Sequence, residues 1–413
     1  MACATLLALV ACSNSNDSGS GASGASRVPQ VYAVGTTSRT FIDTSRPTAA
    51  HGSVPKAPSR TLETTIVYPA EGTPEDAVKP DAPVDTWAAP YPLVVLSHGL
   101  RGKVDHLLPL AEAWASRGYV VALPLFPLTN NATPGGAVAG DVQNQPADVS
   151  FVVDQMLAES DASGLLLSDS VDGDKIAASG HSNGAITTYG LVAHSCCRDP
   201  RIDAAIALAG VAAPFTGGEY DLSDTPPMLL VHGVNDVLAN YNQAVRTYNE
   251  LLPHKGLLTL EASDHGSYLL PGDPAFDVFV QATADFLDGE LRGDSAALDR
   301  LPGHQISGIA TMHWAPDDAS NVPVETLPEP ETNRQAFLSA DSNRHSAGSG
   351  NTHPLRPLGG SKIIFKTSLT TFYLDLRAIP ESVDRSPDHD VLIGEKFRNG
   401  GGYAFRGQRY QNG

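Results

Sequence analysis

The residues of this chain best suited to chemistry are a serine held between glycines, an aspartate and a histidine, each arriving just after a short apolar run. Ile176-Ala177-Ala178-Ser179 leads into Gly180-His181-Ser182-Asn183-Gly184 and then into Ala185-Ile186-Thr187-Thr188. Glycines without a Cβ permit a sharp turn between a strand and a helix, which lifts the Ser182 hydroxyl above the sheet. A helix starting at Asn183 points its amide groups at that hydroxyl and favours negative charge developing there. The chemistry this spacing suits is acyl transfer with serine as the nucleophile.

A serine hydroxyl is a weak nucleophile near neutral pH, so it needs a base, and the base needs a partner that fixes its tautomer. The apolar run Met228 to His232 ends in Gly233-Val234-Asn235-Asp236, and Leu257 to Glu261 ends in Ala262-Ser263-Asp264-His265-Gly266. Both lie at the ligand-facing end of a strand, in the order serine, acid, histidine, which nominates Asp236 as the acid and His265 as the base. Asp203 and Asp224 precede strands, Asp264 adjoins the base, and His254 and His304 fall outside strand ends. The tetrahedral oxyanion requires backbone donors. These are expected at Asn183, after the nucleophile, and at Leu100, in Ser97-His98-Gly99-Leu100 at the end of an earlier strand. His98 and His181 are expected to make structural hydrogen bonds. No metal ligand set and no cofactor motif accompanies these residues, so the expected chemistry is cofactor-free.

These residues need a parallel sheet to position them. Leu93 to Leu96 is apolar at every position, as a strand covered on both faces should be. Leu107, Leu110, Ala111 and Trp114 follow at helical spacing, then Gly118 and a strand at Tyr119 to Leu123. The alternation continues with a helix at Asp148 to Leu157, strands at Lys175 to Ser179 and Ala204 to Ala209, the two acid- and base-bearing strands, and a helix from Asp273 to Leu291. The pattern predicts an α/β class with a mostly parallel central sheet, helices on both faces and an antiparallel edge from Val31 to Pro69, best marked at Leu62 to Tyr68. The loop Thr129 to Gln145 leaves a strand end beside Ser182 and is expected on the substrate rim. The periodicity closes near Arg292. Residues 293–413 read as an irregular C-terminal extension with one strand candidate, Ile363 to Leu376.

Ser97-His98-Gly99-Leu100, the Ser182 pentapeptide, Gly233 to Ala239 and Asp264-His265 together resemble the α/β-hydrolases related to dienelactone hydrolase, platelet-activating-factor acetylhydrolase, chlorophyllase and the cutinase-like polyester hydrolases. The resemblance covers about Val31 to Arg292 and implies an α/β-hydrolase fold and metal-free ester hydrolysis through Ser182, Asp236 and His265. There are departures. Dienelactone hydrolase carries cysteine where this chain has Ser182. The polyester hydrolases commonly have an aromatic residue at the place of Leu100, or Met and Gly at the places of Asn183 and Gly184. Two other functions share the pattern: a serine peptidase or acyltransferase on the same triad, and a non-catalytic envelope lipoprotein that uses the fold for binding.

Lys plus Arg number 27 against 46 for Asp plus Glu in 413 residues, a formal charge of −19, so a nucleic-acid partner is not expected. The expected partner is an ester substrate. Leu6 to Ala11 form an apolar stretch too short to span a bilayer, and Leu9-Val10-Ala11-Cys12 resembles a lipoprotein lipobox, although no Lys or Arg precedes it. The expectation is an exported protein, anchored through a lipidated Cys12 or secreted. Residues 1–12 would be the signal segment, 13–30 a flexible Ser/Gly linker and 31–292 the catalytic domain. Beyond Cys3 and Cys12 the cysteines are Cys196 and Cys197, expected by default as two thiols because a bond between neighbours strains the peptide joining them, with a vicinal disulfide as the alternative.

Overall fold

The computed structural model describes residues 31–328 and, beyond them, the strands 362–366, 371–375, 390–399 and 402–411. The expected signal segment with Cys12, the expected linker and the remainder of the extension lie outside the described residues. The chain divides into two units, Met1–Glu325 and Thr326–Gly413.

The first unit is built on one sheet. Its strands are β1 (Ala33–Asp43), β2 (Arg60–Ala70), β3 (Lys79–Pro80), β4 (Tyr91–Ser97), β5 (Val120–Leu125), β6 (Val171–His181), β7 (Ala204–Leu208), β8 (Met228–Gly233), β9 (Lys255–Leu260) and β10 (Ala310–Ala315). They lie in the order β10-β9-β8-β7-β6-β4-β5-β2-β1-β3. From β5 across β4, β6, β7 and β8 to β9 every pairing is parallel. Antiparallel β2 and β1 extend one side and antiparallel β10 the other. The all-apolar runs are the central strands, buried along their whole length in β4, β7, β8 and β9. This is the expected α/β class with a mostly parallel sheet.

The helices are α1 (Leu108–Ala115), α2 (Gln145–Asp161), α3 (Asn183–Ala193), α4 (Tyr241–Glu250), α5 (Phe276–Arg292) and α6 (Ser295–Arg300). Val149 and Val152 of α2, Ala185 and Leu191 of α3, and Ala244 and Val245 of α4 close one face of the sheet into a core. Leu110 and Trp114 of α1 with Phe279, Phe286 and Leu287 of α5 close the other. Burying aliphatic and aromatic groups on both faces, at about 25 cal/mol per Å², supplies the main stabilisation and leaves only strand ends and loops for chemistry.

Helices α4 and α6 and strand β10 were not anticipated. Helix α4 has buried apolar positions at Tyr241, Ala244, Val245 and Tyr248 with Asn242 and Thr247 buried beside them, a helical spacing diluted by polar and weakly apolar residues. The sheet also runs past Arg292, where periodicity had put its end: α6 packs behind α5, and β10 pairs residue for residue with β9 from Ala310↔Leu260 to Ala315↔Lys255. An edge strand alternates between buried and half-buried positions and so gives no continuous apolar run. Cys196 and Cys197, expected as two thiols, are bonded to each other in the turn after α3, where the N–H of Cys197 donates to His194 O and closes the chain on itself.

In the second unit the segment expected as a single strand is two strands, β11 (Lys362–Lys366) and β12 (Thr371–Asp375), paired antiparallel; β13 (Asp390–Asn399) and β14 (Gly402–Gln411) form a second antiparallel pair.

Candidate active site

Ser182 sits between the end of β6 and the first residue of α3, with φ 56° and ψ −115°. A non-glycine residue in that region carries strain of about 1–3 kcal/mol and persists only where its surroundings hold it. Here the Ser182 N–H donates to Leu208 O at 2.9 Å, and its carbonyl accepts the N–H groups of Ala185 and Ile186 at 3.0 and 3.1 Å. The flanking glycines are sterically required. A Cβ on Gly180 would stand 2.2 Å from Gly184 O, and one on Gly184 would stand 2.1 Å from Ser97 O. The turn is therefore locked against α3 on one side and the end of β4 on the other.

The loops after β8 and β9 deliver the other two side chains to this point. His265 Nε2 lies 2.7 Å from Ser182 Oγ, and its Nδ1 lies 2.7 Å from Asp236 Oδ2. A buried carboxylate at Nδ1 keeps the ring proton there, so Nε2 is left to accept the serine O–H. The Asp236 side chain is fully buried, whereas that of His265 is 19% exposed, so the imidazole faces the solvent side of the site. Burial pushes the Asp236 pKa up, but hydrogen bonds from His232 and His265, the nearby His265 charge and the Ala239 N–H outweigh it. The carboxyl is held well below the usual carboxylate range.

The regions of the two expected oxyanion donors flank Ser182. Asn183 is the first residue of α3, whose leading N–H groups have no partner within the helix. Gly99, next to Leu100, approaches so closely that an added Cβ would stand 3.1 Å from the Ser182 Cβ. His98 braces this loop from below: its Nδ1–H donates to Gly99 O at 2.7 Å while its Nε2 accepts the Phe126 N–H at 3.1 Å. Burial pushes His98 below its ordinary pKa, consistent with a neutral bracing ring. His181 is the corresponding brace for the base, its Nε2–H donating to the backbone carbonyl of His265 at 2.7 Å. Asp264 accepts the N–H groups of Gly266 and Ser267 and shapes the turn after the base.

Sequence reasoning passed over His232 and Gln145. His232, the penultimate residue of β8, places Nε2 3.2 Å from the same Asp236 oxygen that faces His265. Gln145 is fully buried beneath the serine turn and touches α3. Neither residue type, at these spacings, is a signal; only the fold brings them to the site. Among the described residues His194, Cys196 and Cys197 are the group whose potential metal-ligating atoms converge, within 4.8 Å of one another. The two sulfurs are bonded to each other and His194 Nδ1 accepts the Cys196 N–H, so the cluster is taken up by its own bonds.

No family model and no curated protein matches the sequence. Among solved structures the chain aligns with a ferulic acid esterase from Streptomyces cinnamoneus at 24% identity and a TM-score of 0.49, over 63% of this chain and 91% of that one.

Proposed function

We propose that this chain is a serine carboxylic-ester hydrolase that works through an acyl-enzyme on Ser182. The supporting observation is the continuous hydrogen-bonded line Ser182 Oγ, His265 Nε2, His265 Nδ1, Asp236 Oδ2, with 2.7 Å at each link, at the N-terminus of α3. In this reading Ser182 Oγ attacks the ester carbonyl carbon while His265 takes the hydroxyl proton. The carbonyl oxygen becomes an oxyanion facing the N–H groups of Leu100 and Asn183. Collapse of the tetrahedral intermediate breaks the bond to the alkoxy group, and His265 returns the proton to the departing alcohol. Water, deprotonated by His265, then attacks the acyl carbon and releases the acid and free Ser182. Asp236 stays ionised throughout, in keeping with its lowered pKa. Val237 and Leu238 next to the acid and Leu100 next to the serine turn are 91%, 71% and 40% exposed. Apolar side chains in those places favour an ester with an apolar acyl or alcohol portion.

Two measurements test the reading. A fluorophosphonate probe should label the wild type at Ser182 and leave Ser182→Ala unlabelled, and the substitution should lower p-nitrophenyl ester hydrolysis by a factor on the order of 10⁶. Equal labelling of the two proteins would overturn the proposal and leave a binding role for the fold. Esters should be cleaved far faster than matched anilides, and added alcohols should not divert the acyl group. The opposite results would indicate a peptidase or an acyltransferase.

A further inference from the structure

Gln145 opens α2, and its side-chain amide is fully buried. Burying an amide costs free energy unless it is hydrogen-bonded, and here the bonds run in opposite directions. Nε2 donates to Thr129 Oγ1 at 2.6 Å. Oε1 accepts from Thr187 Oγ1 and, at 3.4 Å, from Asn183 Nδ2. Thr129 in turn accepts the Arg101 N–H on its own carbonyl at 2.6 Å. Arg101 follows Leu100 and has φ 58°, a conformation that an arginine keeps only when held. The amide of Gln145 therefore stands between the two backbone segments that flank Ser182, the Gly99–Gly102 loop and the first turn of α3.

The base of this bridge is fixed. On the N-terminal side of Gln145, Arg60 binds Asp141 at 2.8 Å and Arg46 binds Asn144 O at 3.1 Å. On the C-terminal side both arginines bind Asp148, at 2.6 and 2.7 Å. Arg60 and Asp148 are fully buried. The Gln145 backbone is thus pinned to β2 and to the turn after β1, independently of α3, which its side chain touches, and of the Gly99–Gly102 loop, which it reaches through Thr129.

We propose that Gln145 is a positioning residue that sets the spacing of the Leu100 and Asn183 amides, and so the fit of the oxyanion site to the tetrahedral intermediate. This rests on the serine-hydrolase reading above. A hydrogen-bond donor displaced from an oxyanion stabilises the transition state less while leaving ground-state binding nearly intact, so the loss falls on kcat.

The test uses the full chain with Gln145→Met, which keeps length and removes both polar atoms, and Thr129→Val, which removes only the acceptor hydroxyl. With p-nitrophenyl acetate, kcat should fall about 10- to 100-fold in Gln145→Met and several-fold in Thr129→Val, with KM within about twofold of wild type. The Ki of an alkyl trifluoromethyl ketone, whose serine adduct carries an oxyanion, should rise by the same factor as kcat falls. The pH profile of kcat/KM should not move. Folded variants with wild-type kcat and ketone affinity would overturn the proposal and leave Gln145 a packing residue, as would a shifted pH profile. If Gln145→Met does not fold, Thr129→Val decides, and its wild-type kcat would overturn the proposal. A wild type inert to both fluorophosphonate and ester would overturn the serine reading together with this one. A labelled, active wild type beside unaffected variants would overturn this one alone.

Discussion

Every oxygen of the Asp236 carboxylate is occupied. Oδ1 accepts the N–H groups of Leu238 and Ala239, each at 2.8 Å, and Oδ2 faces His265 and His232. Such a group orients an imidazole without taking its proton. Replacing it with asparagine keeps the shape but presents an amide where only acceptors fit. Asp236→Asn should therefore lower kcat for p-nitrophenyl acetate by roughly 10⁴-fold with circular dichroism unchanged, because the ring is driven to the wrong tautomer. His181 gives a prediction in pH. Burial pushes its pKa down to about 4, with its bond to His265 O pulling the other way. The unfolded chain takes up that proton near the ordinary value of about 6.5, so in this window the unfolded state binds more protons. The stability His181 contributes is thus complete above about 6.5 and is lost as pH falls towards about 4. Urea midpoints measured from pH 7 to pH 4 should fall less steeply for His181→Gln than for wild type. At this scale the sequence exposed Ser182, Asp236 and His265, since each follows an apolar run in a fixed order. His232 and Gln145 stayed hidden because their roles depend on distances between segments.

Among the elements, the N-terminal turn of α2 depends most on a single side chain. Arg60 on β2 meets Asp141 and Asp148 with all three side chains buried, and burial pushes the Asp148 pKa up against the hydrogen bonds of the arginines. Removing one member of a buried ionic group leaves its partners uncompensated, at a cost of about 3–5 kcal/mol. Arg60→Met should lower the free energy of urea unfolding by that order, whereas an exposed pair such as Lys79–Asp76 should contribute little. Legibility differed here too. The parallel strands announced themselves because both faces are covered, and α5 because Phe279, Phe286 and Leu287 lie along one stripe. Helix α4 did not, since tyrosines and an alanine carry most of its inner face, and the Arg60 cluster joins positions 81 and 88 residues apart.

At the scale of the whole molecule, the first unit ends later than periodicity implied. Asn249 of α4 exchanges two 2.9 Å hydrogen bonds with the backbone of Val324, which fastens the segment after β10 to the body. A chain cut after Glu325 should keep the wild-type melting midpoint and ester turnover. A chain cut after Arg292 loses α6 and β10 and leaves the apolar β9 bare, so it should aggregate during thermal unfolding. At the opposite border the sheet stops at β3, two residues long, where a lysine and a proline stand beside Gly35 and Thr36. A proline has no N–H to offer, and a cation repels its own copy, so this two-residue strand is a poor template for pairing with a second molecule at Gly35 and Thr36. In crowded solutions of the protein, pairing onto that short stretch should accordingly be disfavoured.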